Sequence, residues 1–137
     1  MEAQQFFIAR ASGGQANDGS HYVNDTSSRL AALYANEDTL LAVGEYDPIA
    51  LTELVVPGVT CGALCAGWLA FDKDLKVVAH RIAKGETVRS RSGILVGQAV
   101  YWTGDSFNDL QLGCDSLMIP ADGPPHAFVA RNALSLP

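Results

Sequence analysis

The stretch "CGALCAGWLAFDKDLKVVAHRIA", from Cys61 to Ala83, decides the fold class of this chain of 137 residues. Two runs rich in apolar residues are separated by the turn formers Asp72-Lys73-Asp74. The first run ends at Asp72 after 11 residues, so it is too short to cross a membrane, which needs about 20. We therefore interpret both runs as strands that are joined by a turn.

The same pattern continues on both sides of this stretch. Runs with strand character and turn formers between them are predicted at 49–56, 87–92, 93–102, 110–119 and 127–134. No long amphipathic helix separates them, which argues against a doubly wound parallel sheet. Glycines inside the predicted strands favour a curved sheet, namely Gly62, Gly67, Gly93 and Gly97. The prediction is a mainly β protein, a small β-barrel or β-sandwich.

The N-terminal part of the chain differs from the rest in composition. Residues 11–28 are small and polar and rich in turn formers, so we predict an extended arm over residues 1–28 and one β-rich domain over 29–137. Leu30, Leu33 and Tyr34 have helical spacing after a serine cap, but they fit a strand equally well. The prediction therefore allows at most one short helix.

Charge is unevenly distributed along the chain. The net charge is −6, which argues against non-specific binding of nucleic acid. Six of the nine basic residues lie in one short segment, and they are Lys73, Lys76, Arg81, Lys84, Arg89 and Arg91. With its two acidic residues this segment carries +4, so the remainder of the chain carries −10. The segment is either a solvated hairpin or a docking edge for an acidic partner, including another copy of the chain.

Three cysteines, Cys61, Cys65 and Cys114, exclude complete pairing within one chain because their number is odd. If Cys61 and Cys65 share a strand, their Cα atoms lie about 13 Å apart, which is too far for a disulfide. Buried free thiols are the simplest expectation. The alternative is an intermolecular bond from one of these thiols to a neighbouring subunit.

The stretch "YWTGDSFNDL", residues 101–110, resembles the last motif of the haloacid dehalogenase-type phosphatases, in which two aspartates hold magnesium. That resemblance assigns the metal to Asp105 and Asp109, and Asp72 with Asp74 would form the nucleophile motif. However, the Gly-Thr that follows the family's first motif is missing, and Asp72 and Asp105 are only 33 residues apart. A parallel α/β core needs a crossover of a dozen or more residues between neighbouring strands, so the phosphatase interpretation is a remote alternative.

Other residue types with catalytic potential do not form a recognisable constellation. His21, His80 and His126 lack metal-ligand spacing, and no Gly-x-Ser-x-Gly or phosphate-loop motif occurs. Trp68 and Trp102 are interpreted as core or interface residues rather than as a platform for nucleic-acid bases. We therefore predict a protein that is not an enzyme and that uses neither cofactor nor metal.

The stretch "DTSSRLAALYANEDTLLAVG", from Asp25 to Gly44, resembles part of the head-decoration proteins of lambda-like tailed phages. The resemblance implies a virion surface protein that binds copies of itself or neighbouring capsid subunits and is synthesised in the host cytoplasm. The N-terminal "MEAQQFFIAR" lacks the basic region of a signal peptide, so no signal peptide and no membrane partner are expected. The alternative is a β module that binds a ligand or partner, such as a small inhibitor or adaptor.

Overall fold

The structure is a computed structural model, and it describes residues 6–12, 15–23, 28–48, 51, 65–83, 88–107, 109–112, 115–117 and 124–134. Its strands are β1 (Phe6–Ser12), β2 (Gln15–Val23), β3 (Arg29–Ala35), β4 (Leu40–Tyr46), β5 (Cys65–Phe71), β6 (Val77–Ile82), β7 (Val88–Val96), β8 (Ala99–Ser106), β9 (Leu110–Leu112), β10 (Asp115–Leu117) and β11 (His126–Ala133). All the strand pairs are antiparallel. The prediction of a mainly β protein is confirmed.

Two principal sheets form the body of the described structure. Sheet I has the strand order β3-β4-β5-β6, and sheet II has the order β11-β8-β7. The ladders found among the described strands do not join these two sheets, so they are arranged as a sandwich in this part of the chain. β1 with β2 and β9 with β10 form two further two-stranded sheets.

One hydrophobic core lies between the two principal sheets. Alternate residues of β7, β8 and β11 are buried, which is the pattern of strands with one face inward. Both tryptophans are in this core, and the rings of Trp102 and Phe128 meet edge to face with centroids 4.9 Å apart. Gly93 lets the sheets approach closely, because a Cβ at this position would lie 2.5 Å from Val43 Cγ2. The core residues are Leu41, Val43, Ala66, Trp68, Ala70, Ala79, Ala83, Val88, Leu95, Val100, Trp102, Phe128 and Ala130.

The central strands of sheet I are buried on both faces. A second apolar cluster lies on the far side of β4 and β5 and consists of Ala42, Tyr46, Leu51, Cys65, Leu69, Phe71 and Leu75. Within it the Tyr46 hydroxyl donates a hydrogen bond of 2.7 Å to the Ala42 carbonyl. Burial raises the pKa of Tyr46 well above its usual value. Double-sided burial explains why β5 is continuously apolar instead of alternating and why β4 has a single charged residue, Glu45.

Polar contacts also bridge the sandwich. The indole Nε1 atoms of Trp68 in sheet I and Trp102 in sheet II both donate to Asn132 Oδ1, each at 3.0 Å. Nearby in the interior, the buried Ser90 hydroxyl donates to the Gly44 carbonyl at 2.7 Å. These bonds satisfy groups that would otherwise be costly to bury, and they fix how one sheet lies on the other.

Local structure differs from the sequence prediction in several places. Residues 29–35 form a strand, because pairing with β4 outweighs their helical spacing. The predicted strand from Ile49 is wrong at its start: Leu51 is helical, and its amide donates to the Asp47 carbonyl. Pro48 suits the first position of such a helical turn, since it has no amide hydrogen to leave unpaired.

Two predicted strands are hairpins. Gly97 has a φ of 59° and lies with Gln98 in a two-residue turn between β7 and β8, so residues 93–102 are not one strand. Glycine tolerates that conformation at the first central position of a hairpin turn. Likewise, residues 110–119 contain the paired strands β9 and β10.

The predicted arm contains a hairpin in place of an extended chain. Phe6 pairs with Val23, and the ladder continues to the pair of Ser12 with Gln15. The physical reason is that aromatic and β-branched residues on both sides of the polar stretch favour strand pairing. Within the described residues this hairpin is a sheet of its own.

Cys65 is disulfide-bonded, so the expectation of a free thiol is wrong at this position. Cys65 is the first residue of β5. Cys61 and Cys114 lie outside the described residues, as does Gly62. In the part of the chain that the structure covers, no helix is long and apolar enough to span a membrane.

Candidate docking surface

The outer face of sheet II, which points away from the core, carries exposed apolar side chains. Strand alternation places Ile94, Val96 and Val129 on this face, and they are 47%, 56% and 73% exposed. Such residues are buried in most proteins, although single exposed ones are common. Three lie on one sheet face, on its two edge strands, so this face is the candidate for contact with another protein.

Polar groups surround these apolar residues on the same face. The Arg131 guanidinium lies 5.9 Å from the centre of the Tyr101 ring, and its Nε donates to the Tyr101 hydroxyl at 3.1 Å. Arg91 forms a salt bridge of 2.9 Å with Asp105. Arg89 pairs with Asp105 in the ladder and is exposed. Three arginines against one aspartate make this face basic in a chain whose net charge is −6.

The six basic residues predicted as a docking edge do not occupy one edge. Arg89 and Arg91 lie on β7 of sheet II, whereas Arg81 lies on β6 of sheet I. Lys73 and Lys76 belong to the turn between β5 and β6, and Lys84 is outside the described residues. Among the described strands, β6, which contains Arg81, is an edge of sheet I. Sequence reasoning missed Arg131, because the chain brings it beside the β8 residues only through strand pairing.

Arg81 is half-buried and lies on the face of sheet I that covers the core. It pairs with the core residue Trp68 in the ladder, and its Nε is buried without a hydrogen-bond partner. Burial, followed by the charge of Arg81, lowers the pKa of the neighbouring His80. The surroundings of His80 at the edge of sheet I therefore disfavour a second positive charge beside Arg81.

Two aspartates of the phosphatase-like motifs, Asp72 and Asp105, make contacts within the fold. Asp72 Oδ1 accepts hydrogen bonds from the backbone amides of Asp74 and Lys76, which closes the β5–β6 turn. Asp105 is engaged by Arg91. Among the described residues, no group of three or more His, Cys, Asp or Glu side chains is placed to hold a metal.

A cleft of about 350 Å³ lies where the β3–β4 and β5–β6 connections meet at one end of sheet I. Its lining is Ala35, Asn36, Glu37, Asp38, Thr39, Leu40, Asp72, Lys73 and Leu75. Asn36 Oδ1 accepts from the amides of Asp38 and Thr39, so this rim is held as a turn. The cleft is acidic, and neither Trp68 nor Trp102 lines it.

The four edge strands of the two principal sheets differ in regularity. β3, β6 and β7 each carry one extra residue relative to the neighbouring strand, and these bulge residues are Ala31, Val78 and Arg91. β11 has none, since its eight residues pair with β8 in unbroken register from His126 to Ala133. Among the described residues, β11 also carries the most exposed large apolar side chain, Val129.

No family model matches the chain, and no curated protein and no solved structure is significantly similar to it. Its function is therefore inferred from the surface and interior described above.

Proposed function

We propose that this chain is a non-enzymatic structural protein that docks onto neighbouring subunits of an assembly. The observation that carries the proposal is the outer face of sheet II, where Ile94, Val96 and Val129 are exposed beside a surplus of arginine. Apolar side chains supply affinity on dehydration, and charged groups around them set orientation and association rate. The partner surface would be apolar at its centre and acidic around it.

In its finer form the proposal is a capsid-stabilising decoration protein on a phage virion. Its basis is the resemblance of residues 25–44 to head-decoration proteins of lambda-like phages. The disulfide at Cys65 supports a working location outside the reducing cytosol, because disulfides persist in oxidising surroundings. Asp72 accepts hydrogen bonds within the β5–β6 turn, and Asp105 forms a salt bridge with Arg91. These contacts support a structural function over phosphatase chemistry.

The second candidate is a β module that binds a ligand or a small partner. It is favoured by the cleft at the end of sheet I, whose volume lies within the range of small-molecule sites. The lining combines the apolar residues Leu40 and Leu75 with the acidic residues Glu37, Asp38 and Asp72. A cationic ligand would fit that chemistry.

The experiment that tests the assembly function is quantitative mass spectrometry of particles purified from the source culture by sedimentation. A structural subunit should be present in a fixed copy number relative to the shell protein. Adding Ile94→Lys protein to particles that lack the chain should give markedly lower occupancy than wild type, because a charge replaces an apolar contact. A chain found only in the unsedimented fraction, or equal occupancy for both proteins, would contradict the proposal.

A further inference from the structure

Strand β11 is the edge strand of the principal sheets that has no bulge, and its one arginine, Arg131, is held against Tyr101 of the neighbouring strand. Exposed edges present unpaired amide and carbonyl groups, and proteins commonly protect them with bulges or charges. The other three edges of the principal sheets each carry a bulge. β11 keeps its register over all eight residues, and among the described strands only β8 pairs with it.

We propose that β11 pairs antiparallel with β11 of a second copy of this chain, joining two copies of sheet II into one six-stranded sheet across a twofold axis. The pairing rests on the proposed assembly function and names one of its partners. A twofold contact uses the same surface on both copies and closes at two, so it does not propagate into a fibre. The backbone hydrogen bonds of strand addition would supply the contact.

The side chains of β11 suit this partner. Of the pairings that keep Phe128 and Ala130 facing the cores of both copies, those centred on Val129 or on Ala130 give the longest ladders. The only arginine in the strand, Arg131, then faces Ala127 or Val129 of the second copy, not the second Arg131. Neither register therefore opposes like charges, which would destabilise the pair.

The test compares two lysine substitutions at exposed positions of the same sheet face. In Val129→Lys the new charge faces either the second copy's lysine at the same position or the second copy's Arg131, so like charges meet in both registers. The matched control is Ile94→Lys, which adds the same charge on β7, the opposite edge of sheet II. Circular dichroism and melting temperature show that both variants fold.

Sedimentation velocity over a range of concentrations measures the dimer. We expect wild type and Ile94→Lys to dimerise, and Val129→Lys to have a dissociation constant raised by about tenfold or more. Hydrogen exchange of wild type should show β11 amides that gain protection with concentration, as a shared ladder requires. A wild type that stays monomeric, a dimer unaffected by Val129→Lys, or one that Ile94→Lys disrupts equally would overturn the pairing.

These outcomes separate the pairing from the proposed function. Loss of particle binding by Ile94→Lys with an intact dimer supports both proposals. A monomeric wild type that still binds particles refutes only the pairing, and a dimer that is absent from particles refutes only the assembly role.

Discussion

Asn132 should be more important for stability than its position near the end of a surface strand suggests. Its side-chain oxygen accepts from two indoles at once, Trp68 in sheet I and Trp102 in sheet II. These tryptophans are 1% and 0% exposed, so water has little access to their polar atoms. Asn132→Leu keeps a similar side-chain volume and removes the acceptor, leaving two donors without a partner.

The magnitude follows from the cost of a buried donor without a hydrogen bond, about 1–3 kcal/mol for each group. Two such groups give about 2–6 kcal/mol. Asn132 is only half-buried, so entering water should relieve part of this cost and place the loss at about 2–4 kcal/mol. In a domain of this size that corresponds to a fall in melting temperature of about 6–20 °C.

Urea unfolding followed by tryptophan fluorescence measures the loss, with Asn132→Asp as a control that keeps an acceptor in place. A double-mutant cycle with Trp68→Phe tests the shared geometry, because in that background only the Trp102 donor is left to lose its partner. Asn132→Leu should then cost about half as much as in wild type. A loss below about 0.5 kcal/mol in wild type, or an equal loss in both backgrounds, would refute the role of Asn132 as a double acceptor.

Three further predictions concern the core, an ionisable group and the disulfide. Gly93→Ala should cost about 1–3 kcal/mol in urea unfolding, because its Cβ would meet Val43; a neutral effect would show that the sheets can separate locally. Burial, and to a lesser extent the charge of Arg81, lowers the pKa of His80, so folding favours the neutral imidazole. The contribution of His80 to stability is complete above its unfolded pKa of about 6.5 and is lost as the pH falls through its lower pKa in the folded protein. His80→Gln should therefore flatten the decline in urea midpoint between pH 7 and 5, and an unchanged decline would assign it to other groups. Denatured, unreduced protein should show one reactive thiol, because a disulfide that includes Cys65 takes two of the three cysteines; three thiols would show that the bond is absent.

The candidate site could be predicted only in part. Sequence reasoning identified Arg89 and Arg91 within a basic segment, and both lie on the outer face of sheet II. It grouped them with residues of sheet I, because neighbours in sequence were taken as neighbours in space. The apolar residues of that face gave no separate signal, since alternation in a strand does not reveal which face another layer covers.

The sequence by itself determined that this protein is mainly β, because the period of apolar residues and the turn formers act over a few residues. It also determined the β5–β6 turn, where Asp72 accepts hydrogen bonds from residues only two and four positions ahead. Tertiary structure alone decided the strand order, the bulges at three of four principal edges and the shared acceptor Asn132, which is 64 residues from Trp68 and 30 from Trp102. The physical reason is that sheet pairing and packing join residues far apart in the chain, and many pairings satisfy the same local pattern until one arrangement buries the apolar faces and satisfies the buried polar groups together.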